Sequence, residues 1–510
     1  MPTLNLKTCT LFFSVGIGLL AFVVAGMKTD EKKPFLNVKE GEVKEEVAET
    51  IEPSVAGVLT PSEFLGDYLG YGIGIHASDI DFPKAFDDLA PHFIRMEFGP
   101  RWDLLEEKIP SGKSVEDYVN YLKRNYNGDF AQRLDGARFS HEFLRERGIQ
   151  IIKIHFELPY HWRAKDGSNR FLSKHIEDLA RFHTGHLKFL SQNGIHVDYM
   201  ELCNEPDGPW NGHIPGKDYA RLLERCDTLF EEHGFGKVKL LGPGLTFLNL
   251  HDAPLPYFEA IKEVGPEHLD GWSTHIWDEA EFTHSLPEYT YGIWKPFLAQ
   301  IKALDPEREK PVFVTEYASD IVKFGDREWA SPRDQVTDTV VNQWPHAVRV
   351  IANSITNLNR GTNGLVLYRL SDTHWHDTGW GIITPQEGAN FQPKPVYHAL
   401  VNTLKTLPLN SKILAPSWYV HNDPITLSIL HQGEENRFHV VAANSTEQFQ
   451  TKAIPLSPAL AQLSLDDLSA YVETGSSQEA ELTIKDSVLE LKLPPLSIAK
   501  ITLNLQGEEG

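Results

Sequence analysis

The sequence predicts an α/β protein, a (β/α)₈ TIM barrel followed by a small all-β sandwich domain. After Pro61, apolar runs of strand length alternate with longer amphipathic stretches, which is typical of βα units around a parallel sheet. Eight such runs can be counted, and eight is the strand number of this barrel. From about Leu409 the pattern changes to short alternating runs separated by Asn, Gly, Ser and Pro, which favours a β-sandwich.

Each predicted barrel strand is a short run rich in Val, Ile, Leu, Phe or Tyr. The eight runs are Tyr71 to His76, Phe93 to Phe98, Ile149 to Glu157, Val197 to Leu202, Val238 to Gly242, Leu269 to His275, Val312 to Thr315 and Gly364 to Leu370. The apolar spacing between them predicts helices over Ile176–Gln192, with Ser173 as N-cap, and over Tyr219–His233. Pro393–Lys405 is predicted to be the last barrel helix.

The chain divides into four predicted segments. Residues 1–27 have the features of a signal peptide, with Lys7 before a stretch that is almost free of polar groups. An uncleaved N-terminal membrane anchor is the alternative. Residues 28–60 alternate Lys and Glu as a flexible tether does, 61–407 form the catalytic barrel, and 408–510 form the β-sandwich. We therefore expect a secreted or periplasmic protein without a stable membrane span after cleavage.

The formal charge of −23 argues against a nucleic-acid partner, because phosphates require a basic surface. To bind a sulfated or uronate polymer, the protein would need a local basic pocket, because its net negative charge repels such a polymer. Only Cys203 and Cys226 remain after signal cleavage, so a disulfide framework is excluded, and Cys203 is expected to be a buried, inert thiol. We expect a monomer without a cofactor.

Two glutamates carry the functional prediction. Glu205 lies in Val-Asp-Tyr-Met-Glu-Leu-Cys-Asn-Glu-Pro (197–206) and Glu316 in Pro-Val-Phe-Val-Thr-Glu-Tyr (311–317). Each follows an apolar run at the point where a buried parallel strand would end, and in this barrel the strand C-terminal ends carry the chemistry. Two facing carboxylates are what glycoside hydrolysis needs, one to protonate the leaving oxygen and one to attack the anomeric carbon.

The residues around this pair resemble the clan A retaining glycoside hydrolases, although no single family is resolved. Asn204-Glu205-Pro206 ends the fourth strand, Glu316 the seventh and His275 the sixth, while Arg95 lies in the second. The resemblance implies that Glu205 is the acid/base, Glu316 the nucleophile and Asn204 the donor to the sugar 2-hydroxyl. Arg95 and His275 are expected to support ionised Glu316, and a structural ion pair is the alternative role for Arg95.

Other candidates lie on the predicted rim of the barrel. Clan members carry Trp in the eighth strand as the floor of the cleavage subsite, but here Tyr368-Arg369 occupies that stretch, and Arg369 could hold a sulfate or carboxylate. The loop 372–380 contains two His residues at i, i+2, yet without a second ligand cluster we favour sugar contacts and expect no metal. The predicted substrate-contacting residues are His76, His161, Trp162, Trp210, Trp277, Arg369 and Trp375.

The predicted activity is that of a retaining glycoside hydrolase on a β-linked polysaccharide or oligosaccharide. An exported protein with an aromatic-rich rim suits a cell-wall glycan or a marine galactan of the agar or porphyran type. Two alternatives stay open, an exo-acting β-glycosidase of the xylosidase or glucuronidase type and a non-catalytic glycan-binding barrel. Retention of both glutamates at the two strand ends favours catalysis.

Overall fold

Eight parallel strands close into a barrel, as predicted. The computed structural model describes residues 64–97, 109–125, 129–155, 158–246, 254–278, 286–319, 323–324, 327–332, 339–372, 379–414, 424–433, 437–456, 468–474, 480–485 and 488–504. The predicted signal peptide and tether lie outside these residues. The barrel strands, numbered one to eight along the chain, are Gly70–Gly74, Phe93–Met96, Gln150–Ile154, Tyr199–Glu201, Lys239–Leu245, Gly271–Asp278, Val312–Ser319 and Gly364–Leu367.

Helices connect the barrel strands and cover them. Among the described residues the α-helices are Pro83–Leu89, Val115–Asn125, Asp129–Glu146, Ile176–Gln192, Gly216–Glu232, Pro254–Val264, Leu286–Leu304, Trp344–Asn359 and Pro395–Asn402. None of the described helices is long and apolar enough to cross a membrane. The prediction of Ser173 as an N-cap is wrong, because a 3₁₀ turn over Ser173–His175 precedes helix Ile176–Gln192 and the Ser173 hydroxyl bonds Asp218.

The barrel interior is closed by one layer of apolar side chains. It is a buried cluster of Phe93, Ile152, Tyr199, Leu241, Phe313 and Val366. Side chains along a strand alternate between the two faces, so the residues two positions further on also point inward, nearer the C-terminal ends of the strands. Polar residues take over at that level: Arg95 on strand two, Glu201 on strand four and Thr315 on strand seven, all fully or almost fully buried.

Register shifts interrupt the barrel on the same side. Strand six pairs Thr274 with Val314 but His275 with Glu316, so Thr315 is an extra residue on strand seven. A second shift lies between Pro243 and Leu245 on strand five. Bulges re-aim side chains and are frequent beside active sites. Here the bulge lets the adjacent residues Thr315 and Glu316 both reach the barrel interior.

The C-terminal part folds into antiparallel sheets, which confirms the predicted all-β domain. A six-stranded sheet contains Phe64–Asp67, Lys412–Leu414, Ile425–Gln432, Arg437–Asn444, Ser497–Asn504 and Leu468–Thr474, in that order. A three-stranded sheet contains Gln450–Pro455, Val488–Leu493 and Glu481–Lys485. Both sheets contribute to one buried core, for example Leu427 and Ile501 from the first and Leu491 from the second. The strand Phe64–Asp67 precedes the barrel in sequence, so the segment before the barrel completes this sheet.

Candidate active site

The two predicted catalytic glutamates meet at the C-terminal end of the barrel. Carboxylate oxygens of Glu205 and Glu316 and a ring nitrogen of His275 all lie within 4.8 Å of one another. Glu205 and Glu316 are 9% and 7% exposed, so both remain reachable from solvent. The backbone φ of Glu205 is 45°, a left-handed conformation that residues other than glycine rarely adopt and that concentrates at functional sites.

Arg95 is the centre of the polar network. Its Nη1 donates to Glu316 Oε2 at 2.7 Å, and its Nη2 donates to Asn204 Oδ1 at 2.6 Å. Its Nε donates to Glu201 Oε2 at 3.0 Å. Although burial disfavours the charged form, the charges of Glu201 and Glu316 raise the pKa of Arg95. The sequence-based expectation that Arg95 contacts Glu316 agrees with this geometry, and the same residue also forms a structural ion pair with Glu201.

His275 hydrogen-bonds Glu205, and its ring also lies close to Glu316, the residue that the sequence suggested it supports. Its Nδ1 lies 2.9 Å from Glu205 Oε1, while its Nε2 lies 3.2 Å from Arg95 Nη2. A guanidinium has only donors, so Nε2 accepts and the neutral ring carries its proton on Nδ1, directed at Glu205. Burial alone would raise the pKa of Glu205, but the hydrogen bonds from His275 and Trp210 and the charge of Arg95 outweigh it and lower that pKa.

Aromatic rings flank both carboxylates. The indole N–H of Trp277 donates to Glu316 Oε1 at 3.2 Å, and that of Trp210, a 45% exposed residue, donates to Glu205 Oε2. The Trp277 ring packs against Tyr368 and Trp380, with centroid distances of 5.4 and 4.9 Å. The eighth strand lacks the expected Trp, and three rings from different strands and loops, those of Trp277, Tyr368 and Trp380, border that position. The sequence interpretation missed Tyr368 and Trp380 as members of this group.

Glu201 and Thr315 are further site residues that the sequence interpretation missed. The Thr315 hydroxyl donates to Glu201 Oε1 at 2.6 Å, while Glu201 Oε2 accepts from Arg95. A period of two from the buried Tyr199 places Glu201 on the inward face, so its position was available from the pattern. Thr315 follows the inward-facing Phe313 by two residues, so its direction fits the same period. The adjacent Glu316 also reaches the interior because of the bulge, which the sequence does not reveal.

A divalent cation is poorly suited to this cluster, although Glu205, His275 and Glu316 carry typical ligand atoms. Arg95 already places a positive charge 2.7 Å from Glu316, and His275 Nδ1 is bound to Glu205. A metal ion would have to displace or repel that guanidinium. The donor set therefore fits two carboxylates held by an arginine better than it fits a metal centre.

Of the neighbouring rim candidates His161 and Trp162, the tryptophan is not on the cleft wall. Trp162 is 0% exposed, with its ring stacked on His175 at 5.3 Å and edge-on to Phe171, so it belongs to the core. The Trp162 ring, in the short 3₁₀ turn Tyr160–Trp162, is buried by these aromatic neighbours. His161 is half-buried and its Nε2 lies 2.8 Å from the carbonyl oxygen of Ile109, which holds it against the loop.

The remaining candidates differ in how well their surroundings are described. His76 is half-buried just after strand one, and its backbone N–H donates to Asp79 at 2.9 Å. Arg369 is 4% exposed; its Nε donates to the carbonyl oxygen of Ser371 at 3.0 Å, and its Nη2 has no hydrogen-bond partner among the residues that the structure describes. Trp375 and the two histidines of the same loop lie outside the described residues.

Comparison with known proteins supports the fold assignment. Neither a protein-family model nor a curated protein matches this chain. Solved structures do match, among them Xyn30A, a glycoside hydrolase family 30 subfamily 8 xylanase from Clostridium acetobutylicum, with TM-score 0.55, 12% identity, and 86% of this chain and 97% of that chain covered. The endo-β1,6-glucanase BT3312 gives TM-score 0.57 at 13% identity, covering 88% and 94%.

A third neighbour is AbfB, a family 51 α-L-arabinofuranosidase from Bifidobacterium longum, with TM-score 0.55, 14% identity, and coverage of 88% and 97%. All three neighbours are named as enzymes that cleave glycosides, and the alignments run through both the barrel and the β-domain. The predicted resemblance is therefore confirmed at the level of the fold, with the family still unresolved.

Proposed function

We propose that this protein is a retaining glycoside hydrolase in which Glu316 is the nucleophile and Glu205 the acid/base. The observation that carries the proposal is the pair of partly accessible carboxylates at the ends of strands four and seven, with oxygens within 4.8 Å. Retaining enzymes hold the two carboxyl groups about 5–5.5 Å apart, whereas inverting enzymes need about 6.5–9.5 Å to admit a water molecule. The short separation supports the retaining mechanism.

In the first step Glu316 attacks the anomeric carbon while Glu205 gives a proton to the leaving glycosidic oxygen. The C–O bond to the leaving group breaks and a glycosyl–Glu316 ester forms. In the second step Glu205, now a carboxylate, takes a proton from water, and that water displaces Glu316 from the anomeric carbon. Arg95 and Trp277 donate to the two oxygens of Glu316, so they orient the nucleophile and stabilise it as the leaving group of the second step.

The proton of the acid step belongs to Glu205 and His275 together. Burial lowers the pKa of His275, yet the charge of Glu316 and the hydrogen bond to Glu205 outweigh it and raise that pKa above its ordinary 6.5. Because His275 Nδ1 bonds Oε1 of Glu205, the proton for the leaving group sits on Oε2, beside the Trp210 indole. The two groups therefore share this proton and titrate as a coupled pair.

The proposal also includes a substrate class. We infer a β-linked polysaccharide or oligosaccharide, because the exposed Trp210 beside Glu205 offers a ring on which a sugar could stack. The neighbours are named as acting on xylan, β1,6-glucan and arabinofuranosides, and another with TM-score 0.59 is a conserved exported protein from Bacteroides fragilis. A marine galactan, another cell-wall glycan and an exo-acting mode on xylosides or glucuronides are all compatible with this site.

A substrate panel with matched variants tests the proposal. Wild-type protein is incubated with xylan, β-glucans, agar, porphyran and aryl glycosides, and product sizes are measured to separate internal from terminal cleavage. Glu205→Gln and Glu316→Gln should each abolish turnover of the polymer, while Glu177→Gln, a half-exposed helical glutamate, should not. Wild-type protein that binds a glycan but cleaves none would favour the non-catalytic barrel instead.

A further inference from the structure

We propose that Glu201 is a positioning residue that orients Arg95 toward the nucleophile and sets the charge balance of the catalytic pair, an inference that rests on the proposed function. Glu201 ends strand four and is 1% exposed. It precedes Glu205 by four residues, but it lies one layer deeper in the barrel. It therefore does not touch a bound sugar and can act only through its neighbours.

Glu201 is held on both oxygens. Oε2 accepts from Arg95 Nε at 3.0 Å and Oε1 accepts from Thr315 Oγ1 at 2.6 Å. A Cβ atom at Gly244 would lie 3.1 Å from Oε1, so the glycine at this position, with φ +63°, leaves the carboxylate its room. The carboxylate thus links the bulge of strand seven to the arginine of strand two.

The contact at Nε decides where the rest of the guanidinium points. The five N–H groups of arginine form a rigid planar fork, so fixing Nε fixes the direction of both Nη groups. In this orientation Nη1 reaches Glu316 and Nη2 reaches Asn204. Without Glu201, Arg95 could rotate about its side-chain torsions, and displacements of about 1 Å at a catalytic group can lower the rate by on the order of 10²-fold.

Glu201 also contributes charge. Arg95 is shared between two carboxylates, Glu201 and Glu316. If the Glu201 charge is removed, the guanidinium charge acts undivided on Glu316 and on the Glu205–His275 pair. Positive charge favours the deprotonated forms of nearby acids. The Glu205–His275 pair should then lose its proton at lower pH. The alkaline limb of the rate profile should therefore also move to lower pH.

The experiment compares Glu201→Gln with wild-type protein on a substrate that wild type cleaves. Glutamine keeps the shape and can still accept from Arg95, so the charge alone is lost. We expect kcat to fall at least tenfold, KM to change less than threefold, and the alkaline limb of kcat/KM to move down by about half a pH unit or more. Glu201→Asp, which keeps the charge, should leave the limb where it is in wild type.

A matched control separates positioning from general stability. Asp305 is another buried carboxylate, 6% exposed, which accepts from the Trp272 indole at 3.2 Å near the N-terminal ends of the strands. Asp305→Asn should lower the unfolding temperature without moving the pH profile. If Glu201→Gln fails to fold, Thr315→Val tests the positioning role, because it removes one hydrogen bond to Glu201 and keeps the charge. In that variant kcat should fall while the limb stays where it is in wild type, and an unchanged kcat would overturn the inference.

The outcomes distinguish the two proposals. If wild type is active and Glu316→Gln is inactive, but Glu201→Gln keeps the wild-type kcat and pH profile, the inference about Glu201 is overturned and the proposed function stands. If no substrate is cleaved, NMR of histidine-labelled protein still tests it. The imidazole signal that disappears in His275→Gln is assigned to His275. The titration midpoint of this signal should be lower in Glu201→Gln than in wild type, and an unchanged midpoint would overturn the inference.

Discussion

Replacing Arg95 by methionine should strongly destabilise the protein at neutral pH. The substitution keeps a long apolar side chain but leaves two carboxylates, 1% and 9% exposed at their side chains, without their shared cation. Removing one partner of a buried ion pair costs about 3–5 kcal/mol, because the other charge remains buried and uncompensated. We therefore expect Arg95→Met to lower the free energy of unfolding by about 3–5 kcal/mol at pH 7.5.

The destabilisation in Arg95→Met should depend on pH. In the variant, Glu201 and Glu316 are buried without a cation, and burial disfavours the charged form of a carboxyl group. A carboxyl group of that kind costs stability as pH rises through its folded pKa and costs little once it is protonated. The destabilisation relative to wild type should therefore be smaller at about pH 5 than at about pH 7.5.

Urea denaturation at both pH values measures these differences. Arg181→Met is the control, since Arg181 pairs with Glu177 at the surface, where their side chains are 31% and 38% exposed, and such pairs contribute about 0–1 kcal/mol. A loss below about 1 kcal/mol in Arg95→Met, equal at both pH values, would refute the picture of a buried guanidinium that neutralises two carboxylates.

Three further variants test other parts of the structure. Asn444→Ala removes a fully buried amide that donates to three backbone carbonyls of the β-domain and should cost about 1–3 kcal/mol in urea denaturation; a neutral result would contradict these contacts. His275→Gln should move the alkaline limb of kcat/KM to lower pH, because the pKa of His275 is raised and the pair then loses the group that retains its proton; an unmoved limb would place the acid proton elsewhere. Arg369→Ala should weaken sulfated or uronate substrates by about 1.5–3 kcal/mol more than neutral ones in kcat/KM, whereas equal losses would indicate a structural arginine.

The strand order and the two glutamates were readable from the sequence because both depend on local patterns. Apolar runs mark buried parallel strands, and a carboxylate that ends such a run must lie at the C-terminal face of the barrel. Glu201 was equally readable, since it lies two residues after the inward-facing Tyr199.

Other features depend on contacts between distant segments. The bulge at Thr315 arises from pairing with strands six and eight, and nothing in the local sequence of strand seven requires it. The same holds for Trp162, whose burial depends on ring contacts with His175 and Phe171, and for the hydrogen bond between His275 and Glu205. The predicted domain boundaries stay predictions, and the strand Phe64–Asp67 adds that the segment before the barrel takes part in the C-terminal sheet.

The configuration of the first product tests the central claim most directly. A substrate that wild-type protein cleaves is followed by proton NMR from the first minutes, before the free sugar mutarotates, and the anomeric signal of the new reducing end is assigned. With Glu316 as nucleophile and Glu205 as acid/base, the first product should carry the anomeric configuration of the substrate. A product that first appears with inverted configuration would contradict the double-displacement mechanism and the roles given to both glutamates.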